Sequence, residues 1–200
     1  MQNYKTIIFD LGNVIVSFDA RKMCSQIAHL SGLSFEEIKD CIKKVWMGYE
    51  RGTISSEELF ALFNKISKRS LNYSEFMLAG CDIFTLRPEM LDLVKTLKKR
   101  GYYLIILSNT NEAHYQFIKK KYGFFNLFDQ LILSFEVKMV KPEIKLFELA
   151  VQRALCPSQA CYYIDDIPQY IEAAKTLGIT GHLFTHPSLL LKDLQTYNIL

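Results

Sequence analysis

The chain has 200 residues, half of them hydrophobic, 22% charged, with a formal net charge of +3. That length supports one good core, or a core plus a modest inserted unit. The charge is too small to point to nucleic acid, and no apolar run approaches the ~20 residues of a membrane span.

The first element in chain order is Thr6–Phe9, whose continuous hydrophobicity predicts a buried parallel strand. Asp10 cuts it off, so it does not read as a signal peptide. From Ser17 to Arg87 helical periodicity dominates and no strand is predicted. Ser34 reads as the cap of one helix. Ser55 and Glu58 stand at capping-box spacing for another, and Tyr73-Ser74-Glu75-Phe76 starts a third. Arg51-Gly52-Thr53 is a turn between helices. This segment of roughly seventy residues far exceeds the usual loop of about 2–6. It predicts a small α-helical cap domain, 17–87, inserted into an α/β core formed by 1–16 and 88–200.

Beyond the insertion, helices and strands alternate. Pro88 opens a helix over Glu89–Arg100 that Gly101 closes. Strands are predicted at Tyr103–Leu107, Gln130–Leu133, Tyr162–Ile164 and His182–Phe184. Helices are predicted at Asn111–Lys121, Glu143–Leu155 and Pro168–Leu177, the last ending at Gly178. Such alternation predicts a doubly wound, Rossmann-like parallel sheet.

The basic clusters Lys98-Lys99-Arg100 and Lys119-Lys120-Lys121 fall near predicted helix ends, where cations complement the helix dipole. Cys24, Cys41, Cys81, Cys156 and Cys161 are odd in number and lack Cys-x-x-Cys spacing. They read as small buried side chains, reduced in a cytoplasm. His29, His114, His182 and His186 show no ligand-like spacing and read as surface or loop histidines.

Three apolar strands end in residues able to do chemistry. Ile7-Ile8-Phe9 runs into Asp10, Leu104–Leu107 into Ser108-Asn109, and Tyr162–Ile164 into Asp165-Asp166. Lys141 stands just ahead of a helix. In an open parallel sheet, ligands bind outside the carboxyl ends of the strands, so these groups should converge. Two adjacent carboxylates repel each other unless a cation or hydrogen bonds compensate, which suggests Mg²⁺. Asp10 can attack phosphorus as a nucleophile, with a lysine and backbone donors holding the phosphoryl oxygens.

Asp10-Leu11-Gly12-Asn13-Val14, Leu107-Ser108-Asn109, Lys141-Pro142-Glu143 and Asp165-Asp166 resemble the four motifs of the haloacid dehalogenase superfamily, in order and spacing. Met47–Ser55 and Phe84–Glu89 resemble the helical cap of the branch containing bacterial α-glucose-1-phosphatase and the phosphatase domain of soluble epoxide hydrolase. The resemblance implies that Asp10 is nucleophile and metal ligand, joined by the backbone carbonyl of Gly12 and by Asp166. Ser108 and Lys141 would bind phosphate with Asn109 beside them, and Asp165 would support its neighbours.

The implied activity is Mg²⁺-dependent hydrolysis of a small phosphorylated metabolite, such as a sugar phosphate, by a monomer or weak homodimer with no nucleic-acid or membrane partner. Trp46, Tyr49, Glu50 and Arg51 are candidate cap contacts to the leaving group. Two departures stand out. Gly12 replaces the aspartate that serves most such phosphatases as general acid, leaving Asp19, Asn13, Asp165 or a water on the metal as alternatives. Tyr170 stands where an aspartate is common. A metal-independent 2-haloacid dehalogenase and a catalytically weak binding protein of the same fold are the competing readings.

Overall fold

A computed structural model describes residues 3–200. In chain order its elements are β1 (Thr6–Phe9), β2 (Val16–Phe18), α1 (Ala20–Ser31), α2 (Phe35–Glu50), α3 (Ser56–Ile66), α4 (Tyr73–Cys81) and β3 (Phe84–Leu86). There follow α5 (Pro88–Lys99), β4 (Tyr103–Ser108), α6 (Glu112–Tyr122), β5 (Gln130–Leu133), α7 (Ser134–Val137), α8 (Ile144–Arg153), β6 (Cys161–Asp165), α9 (Pro168–Lys175), β7 (Thr180–Leu183) and α10 (Pro187–Thr196).

β1 is central in a five-stranded sheet of order β5-β4-β1-β6-β7, with every pairing parallel. Alternate residues face opposite layers, as the pleat requires. Ile7, Phe9, Leu104, Ile106 and Ile164 pack into one core with Leu93 of α5 and Leu190 of α10. Ile8, Ile105, Leu107 and Tyr163 pack into the other with Phe147 of α8 and Ile171 of α9. Burial on both faces explains the unbroken apolar runs. The order reverses at β1, which has β4 on one side and β6 on the other. That is the switch point at which an open α/β sheet binds its ligand.

Helices α1–α4 form the helical insertion. Ser34 and Ser55 both close full capping boxes, Ser34 Oγ accepting from Glu37 N at 3.2 Å and Ser55 Oγ from Glu58 N at 3.1 Å. Asn72 caps α4, and Gly32, at φ 71°, closes α1. Contrary to expectation, two strands lie between Ser17 and Arg87 or overlap its edge. β2 and β3 pair antiparallel, Ser17 opposite Thr85, at the two crossings between insertion and sheet. Three-residue strands are too short for alternation to register in the sequence. β7 begins two residues earlier than predicted, at Thr180.

Among the described residues no helix is long and apolar enough to cross a membrane. All five cysteines are free thiols, with Cys24, Cys81 and Cys161 buried but Cys41 and Cys156 only half-buried. Lys98 pairs with Asp129 at 2.6 Å and Lys121 with Asp82 at 3.1 Å, so part of each basic cluster is spent on ion pairs.

Candidate active site

Phe9 is level with Ile106 on one side and Ile164 on the other, so Asp10 emerges at the carboxyl edge of the sheet. Its backbone N–H donates to the Ile164 carbonyl at 2.9 Å, fixing its height beside the end of β6. β6 ends in Asp165, with Asp166 next. Asp10, Asp165 and Asp166 each offer a carboxylate oxygen within 4.8 Å of the others. β4 ends in Ser108, which is 2% exposed.

Lys141 enters from the loop between α7 and α8, its side chain 1% exposed. Its Nζ donates to Asp10 Oδ1 at 2.8 Å and to Asp165 Oδ2 at 2.6 Å. Burial works against the charge, but the two carboxylates outweigh it and hold the ammonium well above the usual lysine range. Burial pushes the Asp10 carboxyl up, Lys141 opposes this, and Asp165 adds repulsion.

The remaining groups hold these in place. Asp165 accepts from Tyr163 OH and from Ile167 N (2.9 Å) as well as from Lys141, so both its oxygens are engaged. Asn109 clamps the Lys141 backbone, its Oδ1 accepting from Lys141 N at 2.8 Å and its Nδ2 donating to Lys141 O at 3.1 Å. Asn13 Nδ2 donates to Asp166 Oδ2 at 3.0 Å, from a backbone at φ 54°. Burial raises the Asp166 carboxyl and the Asn13 bond opposes that.

Above this edge lies a cleft of about 630 Å³ between sheet and insertion, lined at one end by Asp10, Gly12, Ser108, Asn109, Lys141 and Asp166. A haloacid dehalogenase-like hydrolase family model matches residues 4–178. The chain belongs to that family.

Several relatives in this haloacid dehalogenase-like family are phosphatases. A D-ribitol-5-phosphate phosphatase of Bacteroides thetaiotaomicron is 25% identical, over 87% of this chain and 88% of that protein. A haloacid dehalogenase family enzyme of the same organism, solved with magnesium and inorganic phosphate, superposes with a TM-score of 0.83. It is 23% identical, covering 92% of this chain and 95% of that one. A drimenol cyclase of Aspergillus calidoustus is 23% identical over 90% of this chain, which spans only 34% of that protein.

The helical insertion of this family member divides the four candidate contacts. Trp46 and Glu50, one turn apart on α2, line the cleft. Tyr49 and Arg51 do not. Tyr49 is buried with its hydroxyl 2.9 Å from Ser56 Oγ, and Arg51 ion-pairs with Glu143 and reaches the Lys138 carbonyl. Burial raises the Glu50 carboxyl, against a hydrogen bond from the Trp46 side chain and the charge of Lys141.

His114 departs from the expectation of a surface or loop histidine. It is buried in the cleft wall, Nε2 3.1 Å from the Gly80 carbonyl, its ring 5.6 Å from Trp46 and 4.9 Å from Phe84. Burial lowers it to about 4, so it is neutral. A Cβ on Gly12 would stand 3.3 Å from Phe18 Cε1 and 4.0 Å from Asp10 Oδ2. The Phe18 ring thus crowds the space a side chain at position 12 would need. Asp19 is spent as the α1 cap, accepting from Lys22 N at 2.8 Å.

Sequence reasoning missed Ser134. Its fully buried hydroxyl accepts from Thr110 N at 2.9 Å and lies 2.6 Å from the Glu50 carbonyl, tying the β4 loop to the cap. Ser134 directly follows the apolar β5 run, the same strand-end signal that marks Asp10 and Ser108.

Proposed function

We propose that this chain is a Mg²⁺-dependent phosphatase acting on a small phosphorylated metabolite through an aspartyl-phosphate on Asp10. The carrying observation is the Asp10 carboxylate at the switch point, 2.8 Å from a buried lysine and clustered with Asp166 at the floor of a cleft.

The donor set suits Mg²⁺, which prefers oxygen ligands and takes one or two carboxylates. Asp165 has donors on both oxygens, which leaves Asp10, Asp166 and the Gly12 carbonyl to hold the ion. When bound, Mg²⁺ screens the repulsion between the Asp10 carboxylate and an anionic phosphate.

The chain's own residues supply the rest. A carboxylate oxygen of Asp10 forms a bond to phosphorus as the bond to the ester oxygen breaks, and the leaving oxygen takes up a proton. Water then cleaves the aspartyl-phosphate, releasing phosphate and restoring Asp10. Lys141 and Ser108 bind the phosphoryl oxygens, so catalysis is mostly positioning and electrostatics. Asn109 and Asp165 hold Lys141 from its backbone and its ammonium respectively. On this reading, 1–16 and 88–200 form the hydrolase core and 17–87 the helical cap, entered and left through the β2–β3 ribbon, with residues 1 and 2 outside the described residues.

Asp166, held by Asn13 beside Asp10, supports this reading over a metal-independent dehalogenase. The deciding experiment is phosphate release from p-nitrophenyl phosphate with Mg²⁺ and with EDTA. Release that needs the metal is the expected result. A folded, Mg²⁺-binding protein that releases no phosphate from any ester would favour the binding-protein reading instead.

A further inference from the structure

We propose that the substrate is an amphiphilic phosphomonoester whose leaving group is a hydrocarbon chain or ring, lying against Met23, Trp46, Ile83 and Phe84 while its phosphate meets Asp10. The proposal rests on the phosphatase reading of the same site and names its substrate class. It turns away from the sugar phosphate that the sequence suggested.

The cleft is zoned. Its charged and hydroxyl-bearing floor is the sheet edge, and Glu50 and Tyr170 belong to that end. Lys141 acts electrostatically on both, and its Nζ is 5.0 Å from the Tyr170 ring. The apolar part of the wall comes from the insertion and the ribbon: Met23, Ile42, Trp46, Ile83 and Phe84, with Phe18 reaching down beside Gly12. His114 stands among them, but it is neutral and its Nε2 is already placed on the Gly80 carbonyl. A polyol hydroxyl set against these apolar side chains would go unpaired, at a cost of about 10-fold each in affinity. A hydrocarbon would lose nothing.

The solvent-exposed part of the lining carries the same signature. Phe18, Met47 and Ile167, all lining the cleft, are 43%, 54% and 38% exposed. Apolar side chains that line one cleft and stay open to solvent offer a surface to an apolar ligand group. The volume, about 630 Å³, is that of a site for a whole organic ligand rather than for a phosphate alone. Lys39 and Lys43, one turn apart on α2, also border it and favour approach of an anion.

The test is a series of n-alkyl phosphates from ethyl to octyl, assayed for kcat/KM beside ribitol and sorbitol phosphates. The expected result is a rise of about 3- to 4-fold per methylene until the cleft is filled, with the polyol phosphates near ethyl phosphate. A flat series, or a polyol phosphate preferred to octyl phosphate, overturns the proposal while leaving the phosphatase reading intact. Binding separates the two in the other direction. n-Alkylphosphonates titrated into the protein with Mg²⁺ should tighten by the same factor per methylene even if turnover is absent. Affinity independent of chain length overturns the proposal.

Discussion

Lys141 Nζ lies 2.6 Å from Asp165 Oδ2, with the two side chains 1% and 0% exposed. Burying a charge pair is costly, and an apolar pair of the same shape is often as stable, so stability does not explain the arrangement. Its geometry does: Asp165, fixed by Tyr163 and the Ile167 N–H, pulls the lysine to where it also meets Asp10.

Asp165→Asn removes the partner and leaves the ammonium with a single carboxylate. Losing one member of a buried pair typically costs about 3–5 kcal/mol. The variant should unfold at clearly lower urea and lose on the order of 100-fold in kcat as Lys141 drifts. Unchanged urea midpoint and turnover would remove Asp165 from any positioning role.

Asp10→Asn tests the other end of the same contact. Burial and the Asp165 charge raise the Asp10 carboxyl and Lys141 opposes them, so relief of the buried charge and loss of the lysine's partner pull stability in opposite directions. The amide keeps the shape and drops the charge. Thermal unfolding should therefore change less than in Asp165→Asn, while turnover falls by on the order of 10⁴-fold or more, as expected for a lost nucleophile. Residual turnover above a few per cent would take Asp10 out of that role.

The parallel core was legible because its strands are buried on both faces. Thr6–Phe9 and Tyr103–Leu107 show continuous apolar runs, and the residue after each run marks the active edge. What escaped was set by contacts distant in sequence. The β2–β3 ribbon joins Ser17 to Thr85, with too few residues on either side to show a period. On α2, Trp46 and Glu50 share one face and Tyr49 another, but which face meets the cleft depends on how the insertion sits. His114 is a core residue because Trp46 and Phe84 surround it, which no spacing within α6 reveals.

That histidine makes stability depend on pH. Burial lowers it from 6.5 to about 4 in the folded chain. Between those values the unfolded chain binds the proton and the folded chain does not. Stability should be fully present above about pH 6.5 and fall as the pH drops toward 4, where the loss levels off. The shift corresponds to about 3 kcal/mol. Urea unfolding at pH 7.5 and 5 checks this, with His114→Gln as control. If the variant falls as steeply as the parent, another group is responsible.

Gly12 and Phe18 bear on the unassigned proton donor. The resemblance to superfamily phosphatases places an acidic side chain at position 12, where such a general acid contributes about 10²–10⁴-fold. A Cβ there would stand 3.3 Å from the Phe18 ring, so Gly12→Asp alone needs that ring to give way by a few tenths of an ångström and should gain less than a variant that also removes it. Gly12→Asp with Phe18→Ala opens the space beside Asp10. The double variant should raise kcat for ethyl phosphate, whose alkoxide needs a proton to leave. It should barely change kcat for p-nitrophenyl phosphate, whose phenolate departs unaided. The ratio of the two rates is the measurement. An equal gain on both esters would mean better phosphate binding rather than proton transfer. No gain on either would mean that another group already donates the proton and that Gly12 is no deficit.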